Sequence, residues 1–296
     1  MQITSFEEFK NWAAENIKSY LPDSYSEAVV EMRRVEKPGA PYTGLTVMKK
    51  GQTAAANVNL ELMYEMYTGG ASAEEIMEGM AKIAVMKLPV WGDFSLQSYE
   101  DVKKRICIRL LSLSSNLRLA ERVPHRIIED MILTYNVISG YTGNDIWTSM
   151  IDNSIAESWG ITEDDLYNDA LRNSSVLFPP RLDLLTDIIG EKPEGEDPGI
   201  MVLSNKGGFY GASAVMYPGV LEMASSEMGG DFYIIPSSIN EMILVPTRMV
   251  DDPARLLLTH RFASSNTAPA ERLSERIFFY DCKAKQMRDA VPEMPS

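Results

Sequence analysis

The chain has 296 residues, 45% of them hydrophobic, and carries a formal net charge of −14 at pH 7. This length and apolar fraction allow a sizeable core in one large domain or in two to three smaller ones. The excess of acid disfavours direct nucleic-acid binding, because Lys and Arg contacts to phosphate supply most of that affinity. No apolar run reaches the length needed to span a bilayer, and the first residues lack a signal-peptide pattern. We therefore expect a cytoplasmic protein without a membrane segment.

Residues 1–90 are predicted to form an N-terminal α+β unit. Ser5 followed by Glu8 is a capping-box pattern that predicts a helix start, and Ser72 followed by Glu75 predicts another. Strands, a turn and a further helix are predicted between these two starts at 27–35 (strand), 37–39 (turn), 42–48 (strand), 54–59 (strand) and 60–67 (helix).

Residues 98–190 are predicted to form a middle α+β unit in which strands again lead into helices. The apolar stretches 105–113 and 127–138 read as strands. Large apolar residues recur at helical spacing from Trp147 to Trp159, and Thr162 marks a further helix start.

Residues 191–199 are rich in Pro, Gly and acid, which is typical of a loop or linker. Residues 200–296 are predicted to form a C-terminal α+β unit. Its predicted elements are strands at 200–204, 210–216, 232–236 and 242–246, a helix entered through Pro218, a helix capped by Asp252 and a last strand at 276–282. The whole order predicts an α+β fold of consecutive hairpin-plus-helix units, with antiparallel sheets and helices packed on one face.

No metal and no cofactor are expected. The two cysteines, Cys107 and Cys282, and the two histidines, His125 and His260, show none of the paired spacings that surround a metal ion. The glycines of the loop 204–211 lack the spacing of a nucleotide-binding loop. Each cysteine lies in an apolar run, where a thiol usually packs as a small hydrophobe.

His125 and Glu129 are the first candidates for catalysis. If 127–138 is one strand, residues 125, 127 and 129 share a face, so Glu129 would orient His125 for acid–base chemistry. The alternative is a histidine at a strand start that bonds to the backbone or to solvent.

The turn between the predicted strands 232–236 and 242–246 is the second catalytic candidate. Ser237, Ser238 and Glu241 interrupt two apolar strands, and a serine nucleophile there would need His125 or His260 as its base. The alternative is an ordinary polar hairpin turn without catalysis.

Aromatic residues at turns are the candidates for binding. Phe209 and Tyr210 follow a glycine pair, Tyr141 follows Gly140, and Asn240 lies in the serine-containing turn. Exposed aromatic side chains at turns are suited to recognition of another protein.

Several segments resemble an uncharacterised family that is common in gut Clostridia. The similar segments are 201–205, 210–214, 217–221, 231–238, 6–9 and 124–130. The resemblance covers most of the chain and implies no reaction. Family members often carry His where this chain has Asn240, which weakens a metal or acid–base site at that turn. Many members travel with mobile genetic elements, which implies a bacterial context and a role in conflict between host and element.

These observations predict a noncatalytic binding or regulatory protein whose partner is another protein. In one variant, the acidic surface binds a basic partner and the complex weakens with salt. The alternative is a hydrolase that uses His125 and Glu129 with the turn from Ser237 to Glu241. A histidine within hydrogen-bond reach of that turn would favour the alternative.

Overall fold

The computed structural model describes residues 3–35, 41–51, 55–86, 96–141, 145–190 and 199–291. The chain divides into two compact units, residues 1–94 and 95–296. The segments 98–190 and 200–296, which the sequence analysis separated, therefore lie in one compact unit. The predicted turn at 37–39 and nearly all of the predicted linker at 191–199 lie outside the described residues.

The described part of the first unit combines three helices with a three-stranded antiparallel sheet of order β1-β2-β3. Its elements are α1 (Phe6–Asn16), β1 (Val29–Val35), β2 (Tyr42–Met48), β3 (Asn57–Asn59), α2 (Leu60–Thr68) and α3 (Ala73–Ala84). Buried side chains from the three helices and from β2 and β3 form one apolar core.

The helix starts predicted in this unit are confirmed. The Ser5 hydroxyl accepts the Glu8 amide at 3.2 Å. At α3 the capping box is reciprocal, because Ser72 accepts the amide of Glu75 while the Glu75 carboxylate accepts the amide of Ser72 at 2.8 Å. At α1 the Glu8 carboxylate accepts the amide of Thr4 at 2.8 Å, so the return bond lies one residue before the cap. Both caps satisfy amides that the first turn of a helix leaves unpaired.

A four-stranded antiparallel sheet opens the second unit. The long strand β6 pairs with β4 along one edge and with β5 and then β7 along the other. The elements of this part are α4 (Tyr99–Val102), β4 (Ile106–Ser112), α5 (Leu117–Ala120), β5 (His125–Ile128), β6 (Met131–Tyr141), β7 (Ile146–Met150), α6 (Asn153–Trp159) and α7 (Glu163–Leu177).

The outer edge of β4 is closed by serine hydroxyls. The amide of Ile108 donates to Ser174 Oγ of α7 at 2.9 Å. The amide of Leu110 donates to Ser213 Oγ at 3.0 Å, and Ser213 lies in a 3-10 helix at Gly211–Met216. These hydroxyls satisfy edge amides that would otherwise be buried without partners.

A six-stranded antiparallel sheet completes the second unit, in the order β13-β12-β10-β11-β9-β8. Its strands and the accompanying helices are β8 (Pro180–Leu184), α8 (Leu185–Ile189), β9 (Met201–Asn205), α9 (Val220–Met228), β10 (Phe232–Ser238), β11 (Glu241–Pro246), α10 (Pro253–Ser265), β12 (Phe278–Asp281) and β13 (Gln286–Asp289). Because β8 pairs with β9, the middle and C-terminal segments share this sheet.

The α+β class with antiparallel sheets is confirmed, because every strand ladder among the described residues is antiparallel. None of the helices given above combines the length and the apolarity that crossing a bilayer requires.

Three predicted elements are wrong. The stretch 127–138 is a hairpin and not one strand, because Glu129 adopts a φ of 56° in a two-residue turn between β5 and β6. Trp147 belongs to strand β7 and not to a helix, since pairing with β6 outweighs its helical spacing. The predicted strand 210–216 is the 3-10 helix at Gly211–Met216, whose small residues pack between β9, β11 and β4.

Two boundaries near the C-terminus also differ from the prediction. Helix α9 begins after Gly219, which has a φ of 79°, and not at Pro218. The strand predicted at 276–282 corresponds to β12 and is not the last one. The chain turns at Lys285, which has a φ of 53°, and β13 then pairs with β12.

Candidate functional site

One face of the four-stranded sheet carries a stripe of polar side chains between two apolar clusters. Directly paired residues of an antiparallel ladder point to the same side of the sheet. The register pairs Arg109 with Thr134, Cys107 with Asn136 and Ile138 with Thr148. Arg109, Thr134, Asn136 and Thr148 therefore share one side, which we call the Arg109 face.

Among the described residues, Arg109 is a charged side chain without a counter-ion. Its Nε atom is fully buried and has no hydrogen-bond partner, and none of the ion pairs within the described residues includes it. Its guanidinium carbon lies 4.4 Å from the centre of the Tyr210 ring, a cation–π contact. Burial lowers the pKa of Arg109, but an arginine keeps its proton at neutral pH.

The neighbouring thiol does not balance this charge. Cys107 lies two residues before Arg109 on β4 and is buried. Burial raises the pKa of the Cys107 thiol to about 12, against the opposing attraction of Arg109. The thiol is therefore neutral at physiological pH and does not balance the charge of Arg109.

Hydrogen bonds join the rest of the stripe. Thr134 Oγ1 donates to the Arg109 carbonyl at 3.1 Å. Asn136 Nδ2 donates to Thr148 Oγ1 at 3.4 Å, and Thr148 Oγ1 lies 3.0 Å from the Tyr210 hydroxyl. The Oδ1 atom of Asn136 is buried without a partner.

The stripe has a closed end and an open side. Thr134 and Asn136 are buried at the bottom. Arg109, Thr148 and Tyr210 are half-buried, so part of each residue remains in contact with solvent. We call this arrangement of five side chains the Arg109 slot.

A constrained loop holds Tyr210 over Arg109. Tyr210 has a φ of 53°, a region that non-glycine residues rarely adopt. Asn205 Nδ2 donates to the carbonyl of Phe209 at 2.8 Å. A Cβ atom on Gly211 would lie well under 3.0 Å from the Asn240 carbonyl oxygen and from Ser204 Oγ. The turn that contains Asn240 therefore packs directly on this loop.

Three of the four predicted binding residues come together at this loop. The Tyr141 and Phe209 rings each make edge contacts with the buried Phe178 ring, at centroid distances of 6.0 and 6.1 Å, and Tyr210 packs in the same cluster. Tyr141 is 41% exposed. Asn240 contributes its backbone, because its carbonyl accepts from Ser204 Oγ at 2.8 Å.

The predicted pairing of His125 with Glu129 loses its premise. His125 begins β5 and lies on the Arg109 face, directly opposite Thr134. Its Nδ1 atom lies 3.0 Å from the Val123 carbonyl and so donates to it. Glu129 is in the turn and does not share the strand with His125.

The serine turn is satisfied by its own groups. Ser237 Oγ donates to the Glu241 carboxylate at 3.3 Å, and Ser238 Oγ accepts the Asn240 amide at 3.1 Å. Among the described residues, neither histidine makes a hydrogen bond to this turn. In the part of the chain that the structure describes, both histidines thus bond to groups outside this turn.

His260 belongs to a different buried cluster. Its Nε2 atom lies 2.9 Å from the Ser274 carbonyl, and its Nδ1 lies 3.3 Å from Ser264 Oγ. The Ser274 hydroxyl donates to both oxygens of Asp130 at 2.8 Å. Burial lowers the pKa of His260, so the neutral ring donates from Nε2 and accepts at Nδ1. Burial raises the pKa of Asp130.

The opposite face of the four-stranded sheet carries Arg126, which is paired with two carboxylates. Arg126 Nε donates to Glu163 at 2.9 Å, Nη2 donates to Asp164, and the guanidinium carbon lies 3.7 Å from the centre of the Tyr167 ring. Hydrogen bonding to Glu163 raises the pKa of Arg126.

A cleft of about 440 Å³ lies near the end of α7 and is a weaker candidate. Two of its cations are already paired, Lys103 with Glu100 at 2.6 Å and Arg172 with Asp169. Within the described ranges, no three His, Cys, Asp or Glu side chains lie together in an arrangement that would hold a metal ion.

Sequence reasoning missed the centre of the site. Arg109 interrupts the apolar run from Ile106 to Leu111, and a lone charge inside a predicted strand is the signal that could have identified it. Asn136 and Thr148 carry no comparable signal, because short polar residues are common in strands that are exposed on one side.

Fold and site together define an α+β protein of antiparallel sheets with a polar slot on one sheet face. The chain belongs to a family of unknown function, DUF5688, whose model matches residues 6–282. This confirms membership of an uncharacterised family. No curated protein and no solved structure matches the chain.

Proposed function

We propose that this chain is a noncatalytic binding protein that recognises another protein through the surface around Tyr141, Phe209 and Tyr210. One observation carries the proposal: these aromatic residues, from separate parts of the sequence, pack in one partly exposed cluster with Phe178. Aromatic residues and arginine are the residue types that dominate protein-binding energy.

Rigidity of the cluster supports the same proposal. Phe178 is buried beneath the exposed rings, and Asn205 fixes the loop that carries Phe209 and Tyr210. A preorganised surface loses less conformational entropy when a partner binds, so more of the contact energy appears as affinity.

The charge of the chain supports a basic partner. With a net charge of −14, the chain attracts positively charged proteins, and salt screens this attraction over roughly 8 Å at physiological ionic strength. We therefore expect the complex to weaken as salt is raised. Acidic mimicry of a nucleic-acid backbone is one form that this recognition would take.

The cellular context is part of the proposal. A cytoplasmic location follows from the expectations drawn from the sequence. The resemblance to a family in gut Clostridia supports a bacterial origin, and its association with mobile genetic elements supports a regulatory role in conflict between host and element.

The test is affinity purification of the tagged protein from a lysate of its own source cells, at low and high salt, with mass spectrometry of what is retained. Tyr141→Ser removes the most exposed aromatic ring of the surface. Tyr20→Ser is the matched control, because Tyr20 is 42% exposed and lies in the other compact unit.

A stoichiometric partner that is retained by the wild type and by Tyr20→Ser, but lost with Tyr141→Ser, would support the proposed surface. Retention that both variants preserve would place recognition elsewhere on the chain. If nothing is retained at either salt concentration, the proposal of a protein partner is contradicted.

A further inference from the structure

One donor and one acceptor of the Arg109 slot have no hydrogen-bond partner. Nε of Arg109 and Oδ1 of Asn136 are both fully buried and without a hydrogen-bond partner. The two residues are diagonal neighbours on adjacent strands and face the same side. Folded proteins pair roughly nine in ten of their buried polar groups. Two unpaired polar atoms on the same face of one strand pair are therefore a reason to look for a ligand that would pair with them.

The charge of the slot restricts that partner to a monoanion. The slot contains one guanidinium, while Thr134, Asn136, Thr148 and Tyr210 contribute neutral polar groups. A bound monoanion would balance Arg109, whereas a dianion would leave a buried negative charge uncompensated, which is costly. The flat edge of a guanidinium matches the two oxygens of a carboxylate.

Asn136 adds a second requirement. Its Nδ2 already donates to Thr148, so the free Oδ1 needs a donor. A carboxylate alone offers only acceptors and would leave this oxygen unpaired. The matching ligand therefore carries an N–H or O–H group close to its carboxylate.

We propose that the Arg109 slot binds a carboxylate with a neighbouring hydrogen-bond donor, such as an α-hydroxy acid or the C-terminal residue of a peptide. The carboxylate pairs with the Nε edge of Arg109, and the donor reaches Oδ1 of Asn136. The half-buried Thr148 and Tyr210 form the open side through which it enters. This site shares Tyr210 with the surface proposed above, but it does not depend on the protein-binding role.

The test follows the Arg109 Nε–H signal by NMR of the full-length protein at constant ionic strength. The probes are lactate, which has both groups; acetate, which lacks the donor; lactamide, which lacks the charge; and inorganic phosphate. Lactate is expected to shift the signal in a saturable way and to bind at least about tenfold more tightly than lactamide, as a charge-assisted hydrogen bond implies. Acetate and phosphate are expected to bind more weakly than lactate.

Two variants and one control sharpen the test. Asn136→Asp places a carboxylate beside Arg109 with almost no change of shape, so it should satisfy the guanidinium internally and lower lactate affinity at least about tenfold. Arg109→Met removes the observed N–H group, so its lactate affinity is measured by isothermal titration calorimetry beside the wild type, and lactate binding should be lost. Arg126→Lys changes the paired arginine on the opposite face and should leave lactate binding unchanged.

N-acetylalanine distinguishes the two sources of the carboxylate. Tighter binding than lactate would identify a peptide C-terminus, and weaker binding would identify a small hydroxy acid; both agree with the site. The proposal is overturned if no probe moves the Nε–H signal, which would mean that water alone fills the slot. It is also overturned if phosphate binds more tightly than lactate, or if Asn136→Asp binds lactate like the wild type.

Discussion

Arg109 and Arg126 lie on opposite faces of the same four-stranded sheet and differ in how the fold uses their charge. Each guanidinium stacks on a tyrosine ring, at 4.4 Å for Arg109 and 3.7 Å for Arg126. Arg126 is held by the carboxylates of Glu163 and Asp164. Arg109 has no carboxylate partner within the described residues and one fully buried N–H without an acceptor.

The comparison indicates that the charge of Arg126 serves the packing of the fold, whereas the charge of Arg109 does not. Arg126 joins β5 to the start of α7, so its ion pairs stabilise the packing of the helix on the sheet. Burying the charge of Arg109 has a desolvation cost, and no ion pair among the described residues offsets that cost. A buried charge with that balance is expected where a ligand supplies the missing counter-ion.

The largest expected effect on stability comes from Gly211→Ala. This substitution disturbs the loop that holds Tyr210 over Arg109 and does not change the surroundings of Arg126. The added Cβ would lie well under 3.0 Å from the Asn240 carbonyl and Ser204 Oγ, and backbone must move to accommodate it. We expect a loss of about 3 kcal/mol in the free energy of unfolding, the upper range for overpacking. Urea denaturation measures this loss of unfolding free energy, and hydrogen exchange of the β9 amides shows whether the change is local.

Gly79→Ala is the control for that substitution. Gly79 lies within α3, and nothing lies within 4 Å of its added Cβ. Alanine should stabilise this helix by about 1 kcal/mol. If Gly211→Ala were equally harmless, the loop would not be fixed by the close approach of the Asn240 turn.

The next effect compares the two arginines directly. Arg126→Met removes the hydrogen-bonded partner of Glu163 and should cost about 2 kcal/mol of unfolding free energy. Arg109→Met keeps the apolar stem over Tyr210 and removes an unsatisfied N–H, so it should change stability by no more than about 0.5 kcal/mol. The change in unfolding free energy of both variants is measured by hydrogen exchange of the β4 and β6 amides. Equal losses would show that the fold needs both charges.

The smallest expected effect is on the pH dependence of stability, which neither arginine controls. Burial lowers the pKa of His260 below its ordinary 6.5, so the unfolded chain binds more protons just below that pH. The free energy of unfolding should therefore rise with pH through this window, and the gain should be complete above pH 6.5. The raised pKa of Asp130 acts in the opposite direction, in a more acidic window just above 3.8.

His260→Gln supplies the control for the pH effect. A glutamine amide keeps a donor for the Ser274 carbonyl and an acceptor for Ser264 without titrating. Asp130 and Glu275 favour the charged ring and Arg261 disfavours it, and the variant leaves these three unchanged. Below pH 6.5, the slope of unfolding free energy against pH should flatten in His260→Gln and persist in both arginine variants. If the slope remains in His260→Gln, a group other than His260 causes it.

Local signals in the sequence located much of the fold. Capping residues at Ser5, Ser72 and Thr162 placed three helix starts correctly, because the cap hydrogen bonds span only three residues. Strand β2 was predicted at its observed bounds. What failed depended on partners distant in the chain: Trp147 has helical spacing to its neighbours, yet its strand is fixed by pairing with β6.

The site was predictable only in part for the same reason. Tyr141, Phe209 and Tyr210 were identified as aromatic residues at turns, but nothing local indicates that their rings meet around Phe178. That Arg109 meets no carboxylate among the described residues depends on the register of β4 with β6 and on the position of the 3-10 helix. Such an absence is a property of tertiary packing and has no pattern in the sequence.

The serine hydroxyls on the edge of β4 also affect how the chain behaves at high concentration. Strand β4 is an apolar edge strand, the kind of segment on which other molecules add strands and begin to aggregate. Because Ser174 and Ser213 already accept the outward amides of Ile108 and Leu110, an incoming strand finds those donors occupied. Two hydroxyl groups thereby protect colloidal stability at an edge that carries a single charged side chain.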